Sequence, residues 1–312
     1  MGTLIIVLTY VAYVFIVVVY TVKVVAWLRM PLHIRWDLYP VIHEEHYRYG
    51  GSYYEQQEWW TKPRPRNTWR SLLYSLKDNF YMGEYYESSR LYWLFLLPWH
   101  LGFIFIILFH ILCFFAAAAM VGGLDIAAAS PDFAGRVFYA ILLLTGGIAF
   151  VTGTFGSIGM PIIRLADRGL RTYAMPMNFF NYLFFLVVYG SGLLAWLLLD
   201  PTLDEYRTYW LGLITLTPPT LHPITVLHIV LFDIFLIYLP FTRSTHYITR
   251  ILAYFFIRWD DEPNLPGSKL ERQIGGLLGR KVSWEGKHIP AGKSWAEAAT
   301  ESGLPETKKE KS

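Results

Sequence analysis

Four histidines carry the chemistry that this sequence offers. His100 and His110 lie ten residues apart in PWHLGFIFIILFH, on the apolar run from Leu91 to Val121. His228 and His246 lie eighteen apart on the run from 222 to 258, where LFDIFLIYLPFTRSTH leads into YITRILAYFF. A neutral imidazole nitrogen is a ligand for haem iron. At about 100° per residue, eighteen residues make five turns, so His228 and His246 are expected on one face of a helix, roughly 27 Å apart along its axis. Four imidazoles on two membrane helices therefore point to two six-coordinate haems. Ten residues turn through about 1000°, which leaves His100 and His110 roughly 80° apart in direction with about 15 Å of rise, a mismatch that helix tilt must absorb. Pro240 lacks a backbone donor and predicts a kink between His228 and His246.

The elements that must position these residues follow from composition. The chain has 312 residues, 54% hydrophobic, 18% aromatic and only 16% charged, with several unbroken apolar runs of membrane-spanning length. This excludes a soluble globular domain. The one cysteine, Cys113, sits in the second apolar run, so the chain offers neither a disulfide framework nor the ligands of an iron–sulfur cluster. Such a cluster belongs to a partner.

The expected fold is an all-α, five-helix transmembrane bundle with spans near 3–27, 91–121, 136–160, 178–199 and 222–256. The first span lacks the charged start and cleavage site of a signal peptide and is read as a retained helix. Of 27 Lys and Arg, only Arg136 and Arg207 fall in or beside the loops 122–135 and 200–221. That asymmetry predicts those loops and the N-terminus outside and the C-terminus in the cytoplasm. The expected organisation is helix one over 1–29, a cytoplasmic or interfacial loop over 30–90, a four-helix dihaem core over 91–258, and a cytoplasmic docking tail over 259–312.

The histidine spacings, together with PFTRSTH, resemble the gamma, or cytochrome b, subunit of respiratory nitrate reductase and its relatives. The family's ten- and eighteen-residue spacings and its Pro-Phe-Ser/Thr-Arg-x-x-His segment are matched over roughly residues 91–258. The resemblance implies that His100 and His246 hold an inner haem and His110 and His228 an outer one, and antiparallel helices give the same pairing. It also implies a quinone site at the outer haem. The tail, RWDDEPNLPGSKLERQIGG with VSWEGKHIPAGKSWAEAATE, departs from that pattern. It resembles instead the sulfite-reductase-linked membrane cytochromes b, whose partner is like the catalytic iron–sulfur subunit of heterodisulfide reductase. Its Trp259, Trp284 and Trp295 are candidate anchors for that partner, in a segment with too few apolar residues for an independent core.

Other residues have competing readings. Candidates for a quinone site are Arg136, Asp132, His222 and the deeper Asp233. Arg136 is a donor to a quinone oxygen or a headgroup contact. His222, before Pro223, caps the fifth helix or lines a pocket. Asp233 accepts a proton near the haem or bonds to a neighbouring helix. Arg243 and Arg250 flank His246 by one turn each and suit haem propionates, or form the basic collar of an inner helix end. Gly146, Gly147, Gly153, Gly156, Gly190 and Gly192 allow close helix packing or leave room for a macrocycle. In the loop 30–90, His43, Glu44, Glu45 and His46 lack the His-Glu-x-x-His zinc spacing and read as surface residues. His33 and His288 are in polar segments.

The expected protein is thus an electron-transfer subunit of a respiratory complex. It would hold two haems b and exchange electrons between menaquinone or another quinone and a cytoplasmic iron–sulfur subunit, with further membrane or extracytoplasmic subunits, membrane lipid and no nucleic acid as surroundings. A true nitrate reductase gamma subunit and an anchor without haem are the alternatives. A transporter is disfavoured, since inverted repeats and broken helix pairs are not evident.

Overall fold

The computed structural model describes residues 2–29, 69, 73, 76–77, 80–248, 266–286 and 291–300. Two compact units emerge, one from residues 1–21 with 75–244 and one from 22–74 with 245–312. The segment holding His33 and His43–His46, together with Arg250, Trp259 and His288, lies outside the described residues.

The first unit is helical. Helix α1 covers Gly2–Arg29, α2 Gly83–Ser88, α3 Arg90–Val121, α4 Phe133–Ala166, α5 Arg168–Thr172, α6 Pro176–Leu198, α7 Asp204–Thr215 and α8 Pro223–Tyr238. Five helical segments are long and apolar enough to cross a bilayer: Gly2–Arg29, Arg90–Val121, Phe133–Ala166, Pro176–Leu198 and Pro223–Phe241. The five spans read from hydropathy are therefore all present. Within a membrane the backbone must satisfy its own hydrogen bonds, which helices do, and α3 and α4 continue past Pro98 and Pro161 although each proline withholds one amide.

Helix starts follow local chemistry. Ser89 accepts from the Tyr92 amide at 3.3 Å to begin α3, and Pro176 and Pro223 occupy first-turn positions in α6 and α8, where a missing N–H costs nothing. Packing runs from α3 to α4, α4 to α6 and α6 to α8, while α7 packs on α3. Phe103 on α3 meets Phe235 on α8 at 6.0 Å between ring centres, closing the four-helix set.

The α3–α4 seam is built on glycine. A Cβ on Gly102 would collide with the Gly153 backbone, and one on Gly156 with the backbone of Trp99. Close packing, the plainer of the two readings of the α4 glycines, is what this seam uses them for.

One expectation fails. His228 and His246 do not share a single α-helix, because α8 ends at Tyr238 and Pro240 lies in a 3₁₀ turn over Leu239–Phe241, followed by a second over Arg243–Thr245. Pro240 has no N–H for the ladder, and the helix is interrupted at the place where the sequence predicts a kink. The five-turn alignment of the two imidazoles does not hold.

In the second unit, the described tail is more ordered than its low apolar content suggests. Helix α9 (Lys269–Leu278) begins with a variant of the capping box in which the glutamate reaches one residue further back, and α10 (Trp295–Thr300) with a reciprocal capping box. Ser268 Oγ accepts from the Glu271 amide at 3.0 Å while Glu271 accepts from the Gly267 amide at 2.6 Å. Ser294 Oγ accepts from the Glu297 amide at 3.2 Å, and Glu297 accepts from the Ser294 amide at 2.8 Å. Leu277, Val282 and Ala298 are buried, a bridge pairs Lys281 with Ser294, and Trp284 packs edge-on to Trp295 at 6.5 Å. Both tryptophans stay exposed.

Candidate functional site

The geometry gathers His110 of α3 and His228 of α8 around one aromatic cluster under α7. His110 is buried, its ring stacked on Phe232 at 3.6 Å between centres. Its Nδ1 lies 2.7 Å from the Ile106 carbonyl, an acceptor that can only be met by Nδ1–H. The Nε2 is then the bare nitrogen, and it accepts from the Tyr206 hydroxyl at 2.8 Å. Burial pushes the Tyr206 hydroxyl well above the ordinary tyrosine range, with Cys113, Tyr209 and Tyr13 adding to it, so Tyr206 stays a donor.

His228 follows the same logic. Ser191 Oγ gives its proton to the Val188 carbonyl at 2.9 Å and so accepts from His228 Nδ1–H at 3.1 Å. That leaves His228 Nε2 bare, buried and without a hydrogen-bond partner. A histidine that ligates a metal typically donates its other ring N–H to a carbonyl or similar acceptor, and both residues are prepared in this way. Gly192 leaves the space that the His228 ring uses, since a Cβ there would collide with Phe150 and crowd His228 Cε1.

The donor chemistry therefore fits haem iron. The volume does not yet match it: the cavity beside His228, lined by Phe109, Phe150, Gly192, Trp196, Tyr206 and Thr225 among others, holds about 20 Å³. Tyr206 and Phe232 each pack against both imidazoles.

Helix α7 brings the residues that sequence reading missed, within a segment read as a loop. Leu203, Tyr206, Trp210 and Leu213 are all buried, and their spacing is that of one helical face. Asp200 starts the helix by accepting from the amides of Asp204 at 2.7 Å and Tyr206 at 3.0 Å. Arg207 is ion-paired to Asp204 and lies 5.2 Å from the Tyr139 ring centre. Glu205 fastens α7 to the start of α8 through the His222 amide and, at 2.5 Å, the Thr225 hydroxyl.

The other candidates do not join one hydrogen-bonded site. Among the described residues no hydrogen bond or ion pair links any two of Arg136, Asp132, His222 and Asp233. Arg136 is exposed and donates to the carbonyls of Ser130 at 2.7 Å and Pro131 at 3.1 Å. Asp132 is the exposed N-cap residue of α4 and makes no side-chain cap bond. His222 caps α8 by accepting from the Ile224 amide at 3.3 Å, which is its structural reading. Asp233 is buried and accepts from Thr9 of α1 at 3.0 Å, the neighbouring-helix reading. His100 is half-buried on α3, and His246 and Arg243 are exposed.

Fold and site together define a multi-pass helical membrane protein with a buried histidine pair. The chain is similar to a curated protein of Archaeoglobus profundus named Hdr-like menaquinol oxidoreductase cytochrome b-like subunit, 26% identical over 225 residues, 63% of this chain and 62% of that protein. The chain thus spans about three-fifths of the length of that relative. No protein-family model and no solved structure matches it.

Proposed function

We propose that this chain is a cytochrome b subunit of a membrane quinol oxidoreductase, exchanging electrons between menaquinol or another quinol and a cytoplasmic iron–sulfur subunit like that of heterodisulfide reductase. The observation that carries this is the His110–His228 pair, with both Nδ1–H groups engaged and both Nε2 atoms unprotonated, that of His228 without a partner and that of His110 accepting from Tyr206, on the two helices whose histidines resemble the dihaem pattern. The name of the Archaeoglobus relative supports the quinol-linked branch over the nitrate reductases.

In this reading His110 and His228 hold the outer haem, and His100 and His246 the inner one, with Arg243 and Arg250 as propionate partners. Bound haem supplies one-electron carriage across the bilayer. The chain's own residues orient the ligands: the Ile106 carbonyl and Ser191 hydroxyl fix both tautomers, and α7 covers the pair. The N-terminus and the loops 122–135 and 200–221 face outside, the tail faces the cytoplasm and docks the partner, and quinol approaches Arg136 from the lipid.

A second reading, a membrane anchor without haem, is favoured by the Tyr206 bond to His110 Nε2 and by the Phe232 ring stacked on His110. Pyridine haemochrome analysis of the purified chain separates the two. Two haems b per chain are expected, and none would leave the anchor reading.

A further inference from the structure

A second buried polar constellation lies beside the histidine pair and shares no hydrogen bond with it. Thr9 of α1 donates to Asp233 Oδ2 of α8 at 3.0 Å, and its oxygen lies 2.7 Å from the Tyr209 hydroxyl of α7. Thr9 has one proton and spends it on the carboxylate, so Tyr209 is the donor to Thr9. Three helices are thereby joined by a chain with one sense, Tyr209 O–H to Thr9 O–H to Asp233, and all three residues are buried. Burial, with Asp233 next, pushes the Tyr209 hydroxyl above its ordinary range, which keeps it protonated.

A carboxyl group inside a membrane-spanning helix is costly and calls for a use. Asp233 is ten residues past Pro223, about 15 Å of helix rise from the start of α8. It makes no ion pair among the described residues. The groups that face it are hydroxyls and a thiol: Tyr209 of α7, Tyr13 of α1, and behind them Cys113 of α3. Tyr13 adds an independent sign, since its hydroxyl is buried without a hydrogen-bond partner while its ring packs edge-on to Trp210 at 5.8 Å. On α7, the half-buried Glu205 lies one turn before Tyr209, on the same side of the helix.

We propose that Tyr209, Thr9 and Asp233 form a proton relay between the α7-capped end of the bundle and a carboxyl group within its membrane-spanning part. A proton arriving at the Tyr209 oxygen releases that residue's own proton to Thr9. Thr9 passes its proton to the Asp233 carboxylate, which becomes a carboxylic acid. Reversal of the two hydrogen bonds returns the proton, and no electron moves in the relay. The relay rests on the quinol reading only for its proton source, because quinol oxidation releases protons that a nearby base must accept.

The test is infrared difference spectroscopy of the full chain in phosphatidylcholine vesicles, through a pH titration and after a pH jump. A protonated-carboxyl C=O band is expected that is absent from Asp233→Asn, shifts in frequency in Thr9→Val and returns in Thr9→Ser. Tyr209→Phe is expected to slow its appearance after the jump by on the order of a hundredfold. An unchanged band in Asp233→Asn, or an unchanged rate in Tyr209→Phe, overturns the relay. Should Asp233→Asn fail to accumulate, Thr9→Val against Thr9→Ser decides alone: a shift in the first only supports the relay, and no shift overturns it. A preparation without haem would sink the quinol reading and leave this titration valid.

Discussion

The two stretches of α3 that carry its histidines are packed in opposite ways. Around His110 the neighbours are rings: Phe232 face to face, Tyr206 at hydrogen-bond distance and Phe109 stacked on Tyr206 at 5.7 Å. Beside His100 the α4 seam brings backbones together, with Gly102 against Gly153 and Trp99 against Gly156, while the Trp99 ring faces Tyr182 and Phe185. Rings change place by rotating about χ bonds, whereas a backbone seam between two spanning helices opens only if a helix moves. The His110–His228 end is lined by side-chain rings, and the α3–α4 seam is a fixed wall of backbone.

The strongest way to break this comparison is to enlarge the seam. Gly102→Leu is expected to cost at least about 1–3 kcal/mol, because its side chain must displace the backbone of α4. Gly190→Ala, with nothing within 4 Å of the added Cβ, is expected to stay within about 0.5 kcal/mol. Thermal unfolding of the two variants in detergent measures the difference. Equal melting temperatures would remove the fixed wall.

A smaller effect is expected at Arg136. Its guanidinium is already committed to the Ser130 and Pro131 carbonyls, and a quinone oxygen would be a further acceptor. Arg136→Ala should slow reduction of the haems by a quinol analogue about tenfold, the kinetic equivalent of one hydrogen bond from a charged group, with haem content unchanged. Unchanged kinetics would confine Arg136 to closing its loop.

The smallest effect is expected in the tail. The Ser294 amide, and then its hydroxyl, hold the exposed Glu297 carboxyl below the usual range. A lowered folded-state value means that this contribution is present above the ordinary carboxylate pKa and is lost as pH falls through the lowered one. Amide exchange over 294–300 should be faster in Glu297→Ala at neutral pH, and the two proteins should converge in acid. A difference that persists in acid would exclude the carboxylate as the cause.

The spans, and the placing of His110 and His228 on two of them, were legible because the bilayer demands about twenty apolar residues. The α8 end was not, since hydropathy records compatibility with lipid and not the state of the ladder at Pro240, and the apolar run continues past it. Helix α7 was hidden by the charged DEYRT that opens it, although Leu203, Tyr206, Trp210 and Leu213 keep helical spacing. The capping boxes at Ser268 and Ser294 were readable as Ser-x-x-Glu. Thr9 was not readable as the partner of Asp233, because 224 residues separate them and nothing local marks the contact.

The central claim is that His110 and His228 serve one group. Optical and low-temperature EPR spectra of His110→Ala and His228→Ala test it most directly, because each substitution leaves its partner imidazole in place. The account predicts that both variants lose the same one of two b-type signals and keep the signal assigned to His100 and His246. Loss of different signals in the two variants, or full haem content in both, would contradict it.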